Sequence, residues 1–172
     1  MKKPVATSSG QFDEVIRIIQ ISHDRALKAV NAEMIRMYWN VGEYLSKLCA
    51  NANFGDKIID DVAAYIAQNN PGAKGFNRRG LYRMKQFYEL YKDDEFVSPL
   101  VTQVSWTNHL LIMSGSKSVD ERHFYLSLCA KEHYSKRELE RQMDSGYYER
   151  SMLSSKKLPS QPVSQNIRSS IL

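Results

Sequence analysis

Between Lys74 and Lys92 the chain places six cations, Lys74, Arg78, Arg79, Arg83, Lys85 and Lys92, against a single acid, Glu89. The formal net charge of +5 is therefore unevenly spread. Residues 1–73 balance eight bases with eight acids, and residues 93–149 carry ten acids against six bases. Only the last stretch, 150–172, with four bases and no acid, repeats the excess. Guanidinium forks and ammonium groups at such density suit phosphate oxygens, and Arg or Gln side chains on the same face can also reach base edges. Clustered positive charge of this kind is the footprint expected of a polyanion binder.

Residues for covalent or hydrolytic chemistry are not arranged in usable patterns. There is no G-x-S-x-G and no H-E-x-x-H, and the glycine pair Gly75 and Gly80 is followed by Leu81 where a phosphate-binding loop needs Lys. His23, His109, His123 and His133 share no ligand spacing. A PD-(D/E)XK nuclease needs a carboxylate two positions before a Lys, to hold metal while the Lys helps activate water, and no Lys here has one. Asp60-Asp61 is the one acidic pair of interest, and it reads as charge near a helix start, favoured by the dipole. Cys49 and Cys129 fit no redox or metal spacing and read as core thiols. No catalytic residue, metal ligand or cofactor is expected.

Helices must position the basic cluster. From Phe12 to Leu48 apolar residues recur at helical spacing (Phe12, Val15, Ile19, Ala26, Val30, Met34, Tyr38, Val41, Leu45, Leu48), which predicts one long helix or two in series. A second helix is expected from an Asp56 cap to about Gln68, ended by Asn69-Asn70-Pro71-Gly72. Asn77 caps the next, predicted from Arg78 to about Tyr91. At about 100° per residue that helix divides into two arcs. Leu81, Met84, Phe87, Tyr88 and Tyr91 form an apolar arc; Arg78, Arg79, Tyr82, Arg83, Lys85 and Gln86 form the other, with Lys74 beside it. The second and third helices resemble a helix-turn-helix, although the connector from Asn69 to Phe76 exceeds the usual 3–4 residues.

Further on, Ser98-Pro99 can open a short helix, and Ser105 can cap one holding Trp106, Leu110, Ile112 and Met113. Ser118-Val-Asp-Glu121 and Ser135-Lys-Arg-Glu138 are capping boxes that launch helices over 119–132 and 136–147. Val101 to Ser105 is the one weak strand candidate. Trp106 and His109 could in principle stack on splayed bases, yet on an apolar helix they read as core, as do Tyr38-Trp39, Phe124-Tyr125 and Tyr147-Tyr148. The expected organisation is a flexible stretch over 1–10, a helical domain over 11–150 and a basic tail or linker over 151–172. No run of about 18 apolar residues suggests a membrane span, and Met1-Lys2-Lys3-Pro4 lacks the apolar core of a secretion signal, so the cytoplasm is the expected compartment.

Several spaced landmarks occur in order: Val30-Asn31, Tyr38-Trp39-Asn40-Val41-Gly42, Pro71-Gly72, Lys74 to Arg79, Met84 to Tyr88, Ser105-Trp106, Phe124-Tyr125 and Ser135 to Gln142. Over residues 12–150 they resemble the N-terminal domain of the bacterial YhcG family, in which a helical domain precedes a PD-(D/E)XK nuclease domain. The chain departs from the family pattern at Asn77, where Ser is usual, at Gly80 for Asn, at Asn108 for His and at Tyr134 for Trp. The Gly80 change leaves the helix without a polar side chain there. The resemblance implies a DNA-binding or targeting module for a nuclease domain that would begin near residue 172.

The combined expectation is an all-α multi-helix bundle with a long N-terminal helix and a helix-turn-helix-like basic segment. Its function would be non-catalytic nucleic-acid binding, with DNA the expected partner, through Lys74, Arg78, Arg79, Tyr82, Arg83, Lys85 and Gln86. The alternative is a protein-interaction or dimerisation module, a homodimer joined through the apolar stripe of the first helix.

Overall fold

The computed structural model describes residues 9–51 and 55–156. These residues form an all-α fold of seven helices: α1 (Ser9–Ala50), α2 (Gly55–Asn69), α3 (Arg78–Tyr91), α4 (Trp106–Gly115), α5 (Val119–Glu132), α6 (Lys136–Asp144) and α7 (Tyr147–Lys156). The Val101 to Ser105 stretch is not a strand. Val101–Gln103 is one turn of 3-10 helix leading into Ser105, whose hydroxyl caps α4 by accepting from the Asn108 N–H. No α-helix starts at Ser98; residues 95–100 are turns stapled by Asp94, whose carboxylate accepts from the Phe96 and Val97 N–H groups.

Of the two boxes, that at Ser135 is complete, with the Ser135 hydroxyl on the Glu138 N–H and the Glu138 carboxylate on the Ser135 N–H. At Ser118 only the first half forms, because Glu121 turns to the Lys117 N–H instead, 2.6 Å away. Two helix ends also differ from expectation. α6 stops at Asp144, and a left-handed Gly146 (φ 63°) opens α7, which runs through Arg150 to Lys156. The expected tail therefore begins with a helix, and residues 157–172 lie outside the described part, as do 1–8.

α1 is one unbroken helix of 42 residues, as its lack of internal Pro permits, but only its second half enters the core. Ile35, Tyr38 and Leu45 are buried there, where α1 packs on α3, α2 and the 3-10 turn, with Tyr38 against Phe76 and Trp106. Residues 12–30 are exposed throughout. Of the predicted stripe, the part from Phe12 through Val30 and Met34 faces solvent, with Phe12 60% and Val30 58% exposed, while Tyr38 and Leu45 are buried and Val41 and Leu48 half-buried. On a 100° wheel, the buried trio sits roughly a quarter-turn around the helix from that exposed part. The periodic signal thus joins an outer stretch that the other described residues leave exposed to an inner one that enters the core.

The core is centred on α3. Phe87, fully buried, receives the edges or faces of four rings at 4.8–5.6 Å: Trp39 of α1, Tyr91 on its own helix, and Trp106 and His109 of α4. Such tilted and T-shaped pairs place ring edges on electron-rich faces. They also join the α1–α2–α3 layer to α4, which packs in turn on α5 and α6.

The α1–α3 contact is close enough to exclude a side chain. At Gly42, a Cβ would overlap the Met84 carbonyl group and press on the Tyr88 Cβ. Ala has the better helix propensity by ~1 kcal/mol, but forcing two helices apart in a packed core costs roughly 1–3 kcal/mol. Gly42→Ala is therefore expected to lower the thermal midpoint measured by circular dichroism, whereas Gly10→Ala, where nothing lies within 4 Å of the added carbon, leaves it unchanged or slightly raised.

Candidate nucleic-acid interface

Burial of one side of α3 decides what the other side can do. Leu81, Met84, Phe87 and Tyr91 are at most 2% exposed, and Tyr88 is half-buried against Trp39. Arg78, Arg79 and Gln86 are exposed, and Tyr82, Arg83 and Lys85 are half-buried at the flanks. Lys74, in the connector before the helix, is exposed. The two arcs predicted for residues 78–91 are thus the two faces observed.

The helix start is fixed locally. Asn77 adopts extended geometry and its carboxamide accepts from the Gly80 N–H at 2.9 Å. Gly75 takes a left-handed turn (φ 89°), and its carbonyl packs so tightly on Gly80 that a Cβ there would collide with it. Gly80 is therefore a requirement of this turn. Its lack of a side chain leaves the first turn to Arg78 and Arg79, with Arg78 lying over the Tyr82 ring at 5.4 Å. Together Arg78, Arg79 and Tyr82 line a shallow recess.

The cations are not equally available. The Arg78 Nε lies 2.5 Å from the Asp60 carboxylate on α2, both side chains about half exposed. Lys85 pairs with Glu89 one turn on, at 2.8 Å, and Glu89 also accepts from the Ser46 hydroxyl of α1. Burial acts to raise the Glu89 pKa, but these hydrogen bonds prevail and hold it below the usual carboxylate range. Lys74, Arg79 and Arg83 have no carboxylate partner among the described residues. The (i, i+4) pair of Lys85 and Glu89 is legible in the sequence. The Asp60–Arg78 pair is not, since 18 positions separate the partners; Asp60 is an inter-helix counter-charge, beyond the first turn of α2.

Trp106 and His109 offer no stacking platform. Trp106 is partly buried between Tyr38 and Phe87, and His109 is fully buried. The His109 Nε2 lies 2.8 Å from the Val101 carbonyl, so it carries the proton, and Nδ1 is buried without a partner. Burial, only partly opposed by that bond, pushes the imidazole pKa down to about 4. Burial likewise pushes the Cys129 thiol up to about 12, which makes it inert, as expected of a core thiol. A hydrogen bond unseen in the sequence, between His123 Nε2 and the Asp94 carboxylate at 2.7 Å, ties the turn after α3 to α5, with Phe96 stacked on the imidazole. Among the described residues no three His, Cys, Asp or Glu side chains converge as a metal site, and no helix is long and apolar enough to cross a membrane.

Residues 14–150 match the family model described as the DUF1016 N-terminal domain, the domain found at the N-terminus of YhcG proteins. No curated protein and no solved structure matches the chain.

His109 gives the fold a defined response to acid. The unfolded imidazole binds a proton through its ordinary pKa of 6.5, while the folded one resists until about 4. Its stabilising contribution is therefore complete above pH 6.5, declines as pH falls and levels off below about 4, a loss on the order of 3 kcal/mol. Urea titrations across that window should show this decline, and His109→Gln should flatten it.

Proposed function

We propose that this chain, which belongs to the DUF1016 N-terminal domain family, binds duplex DNA through the outward face of α3 and performs no chemistry on it. The observation that carries this reading is the division of α3 into a buried apolar arc and an outward arc whose Arg79 and Arg83, with nearby Lys74, face solvent or the flank without a carboxylate partner. Guanidinium groups in that setting neutralise phosphates with little desolvation to overcome. The N-terminal end of α3 adds the partial positive charge and free N–H groups that phosphate favours.

Asp60 and Glu89 set the strength of the interface. Each holds a cation that a phosphate would otherwise take, so binding Arg78 to DNA means exchanging one anion for another. Such exposed pairs are worth roughly 0–1 kcal/mol, so the exchange is easy. On this reading, which the resemblance to YhcG proteins supports, the domain delivers duplex to a PD-(D/E)XK nuclease domain, with strand cleavage belonging to that domain alone.

Fluorescence anisotropy on a short duplex at two salt concentrations tests this. Affinity should fall with salt, and Arg79→Ala with Arg83→Ala should weaken binding at least tenfold and reduce the log–log salt slope by roughly 2. Asp60→Asn, which releases Arg78, should strengthen it. Unchanged affinity in the double Arg variant, with its helical spectrum intact, would sink the proposal.

A further inference from the structure

The first half of α1 carries an apolar arc that the other described residues leave uncovered. Phe12, Ile16, Ile19, Leu27, Val30 and Met34 are 44–61% exposed and point the same way. With His23 between them, their spacing is four, three, four, four, three, four. Eleven residues make almost three whole turns, so a pattern that repeats after eleven, at Phe12, His23 and Met34, runs nearly straight along a helix. It is also palindromic about His23.

We infer that this arc is a homodimer interface in which two copies of α1 pair antiparallel across a two-fold axis near His23. A palindromic stripe still matches itself residue for residue when reversed: Phe12 then meets Met34 of the second copy, Ile16 meets Val30, and Ile19 meets Leu27. The area is sufficient as well. A side chain of this size exposes roughly 60–120 Å² of apolar surface. Six of them give about 600 Å² per copy and about 1,200 Å² in all, the lower end of the range for specific interfaces. An uncovered apolar patch so large is uncommon on a monomer. From Phe12 to Val30 the described residues bury no side chain of α1, so the pairing stabilises a stretch of helix that is otherwise left to solvent.

Light scattering on the full chain should return twice the 19.8 kDa mass at tens of micromolar. Ile19→Glu with Leu27→Glu should halve it without altering the thermal midpoint of the core, because both side chains are exposed in the single copy. Orientation is read by oxidation: Phe12→Cys chains mixed with Met34→Cys chains should cross-link to each other, above the background set by wild-type Cys49 and Cys129. A monomeric wild type, a double Glu variant that stays dimeric, or Phe12→Cys chains that cross-link to themselves would each overturn the proposal.

Discussion

Everything about the basic face depends on how closely α3 lies against α1. The absence of a side chain at Gly42 lets the α1 backbone reach the Met84 carbonyl. That approach fixes the rotation of α3 about its own axis: with Met84 held, Leu81 and Phe87 must point inward and Arg79 and Arg83 must not. A helix seated farther out could roll, and the separation between apolar and cationic arcs would then be a property of sequence alone. Phe87 completes the constraint from the other side, because its four ring neighbours come from α1, α3 and α4.

The electrostatics of the face follow from the same seating. Because α2 and α1 both flank α3, each lends it an anchoring group, Asp60 to Arg78 and Ser46 through Glu89 to Lys85. Arg78 and Lys85 are tied down, while Lys74, Arg79 and Arg83 have no carboxylate partner among the described residues. Formal charge counts all of them alike. Geometry ranks them.

Much of this is legible in the sequence, and the parts that are not share a cause. Local rules succeed: the Asn77 cap, the Ser105 cap, the complete Ser135 box and both arcs of α3 depend on neighbours within a turn. Tertiary pairing is invisible to such rules, which is why Asp60 reads in the sequence as a dipole charge although its partner is Arg78. Competition between equally near partners is invisible too: Glu121 suits the Ser118 box on spacing, yet Lys117 receives it. The most instructive difference concerns α1. Helical periodicity reports that a helix has an apolar side and cannot say what covers it, so one continuous stripe on paper divides in the fold into an exposed stretch from Phe12 to Met34 and a stretch, with Tyr38 and Leu45, that enters the core.

Because α1 carries two apolar arcs on one continuous rod, their angular relation is set by the number of residues between them. A single insertion between Val30 and Ile35 would turn the outer arc by about 100° relative to the core and sweep it toward or away from the body of the protein. An insertion of seven, close to two full turns, would leave the phase nearly intact and only lengthen the arm. The phase between the two arcs is therefore kept as the phase of gear teeth is, only by whole steps, even though among the described residues those of α1 from Phe12 to Val30 are all exposed.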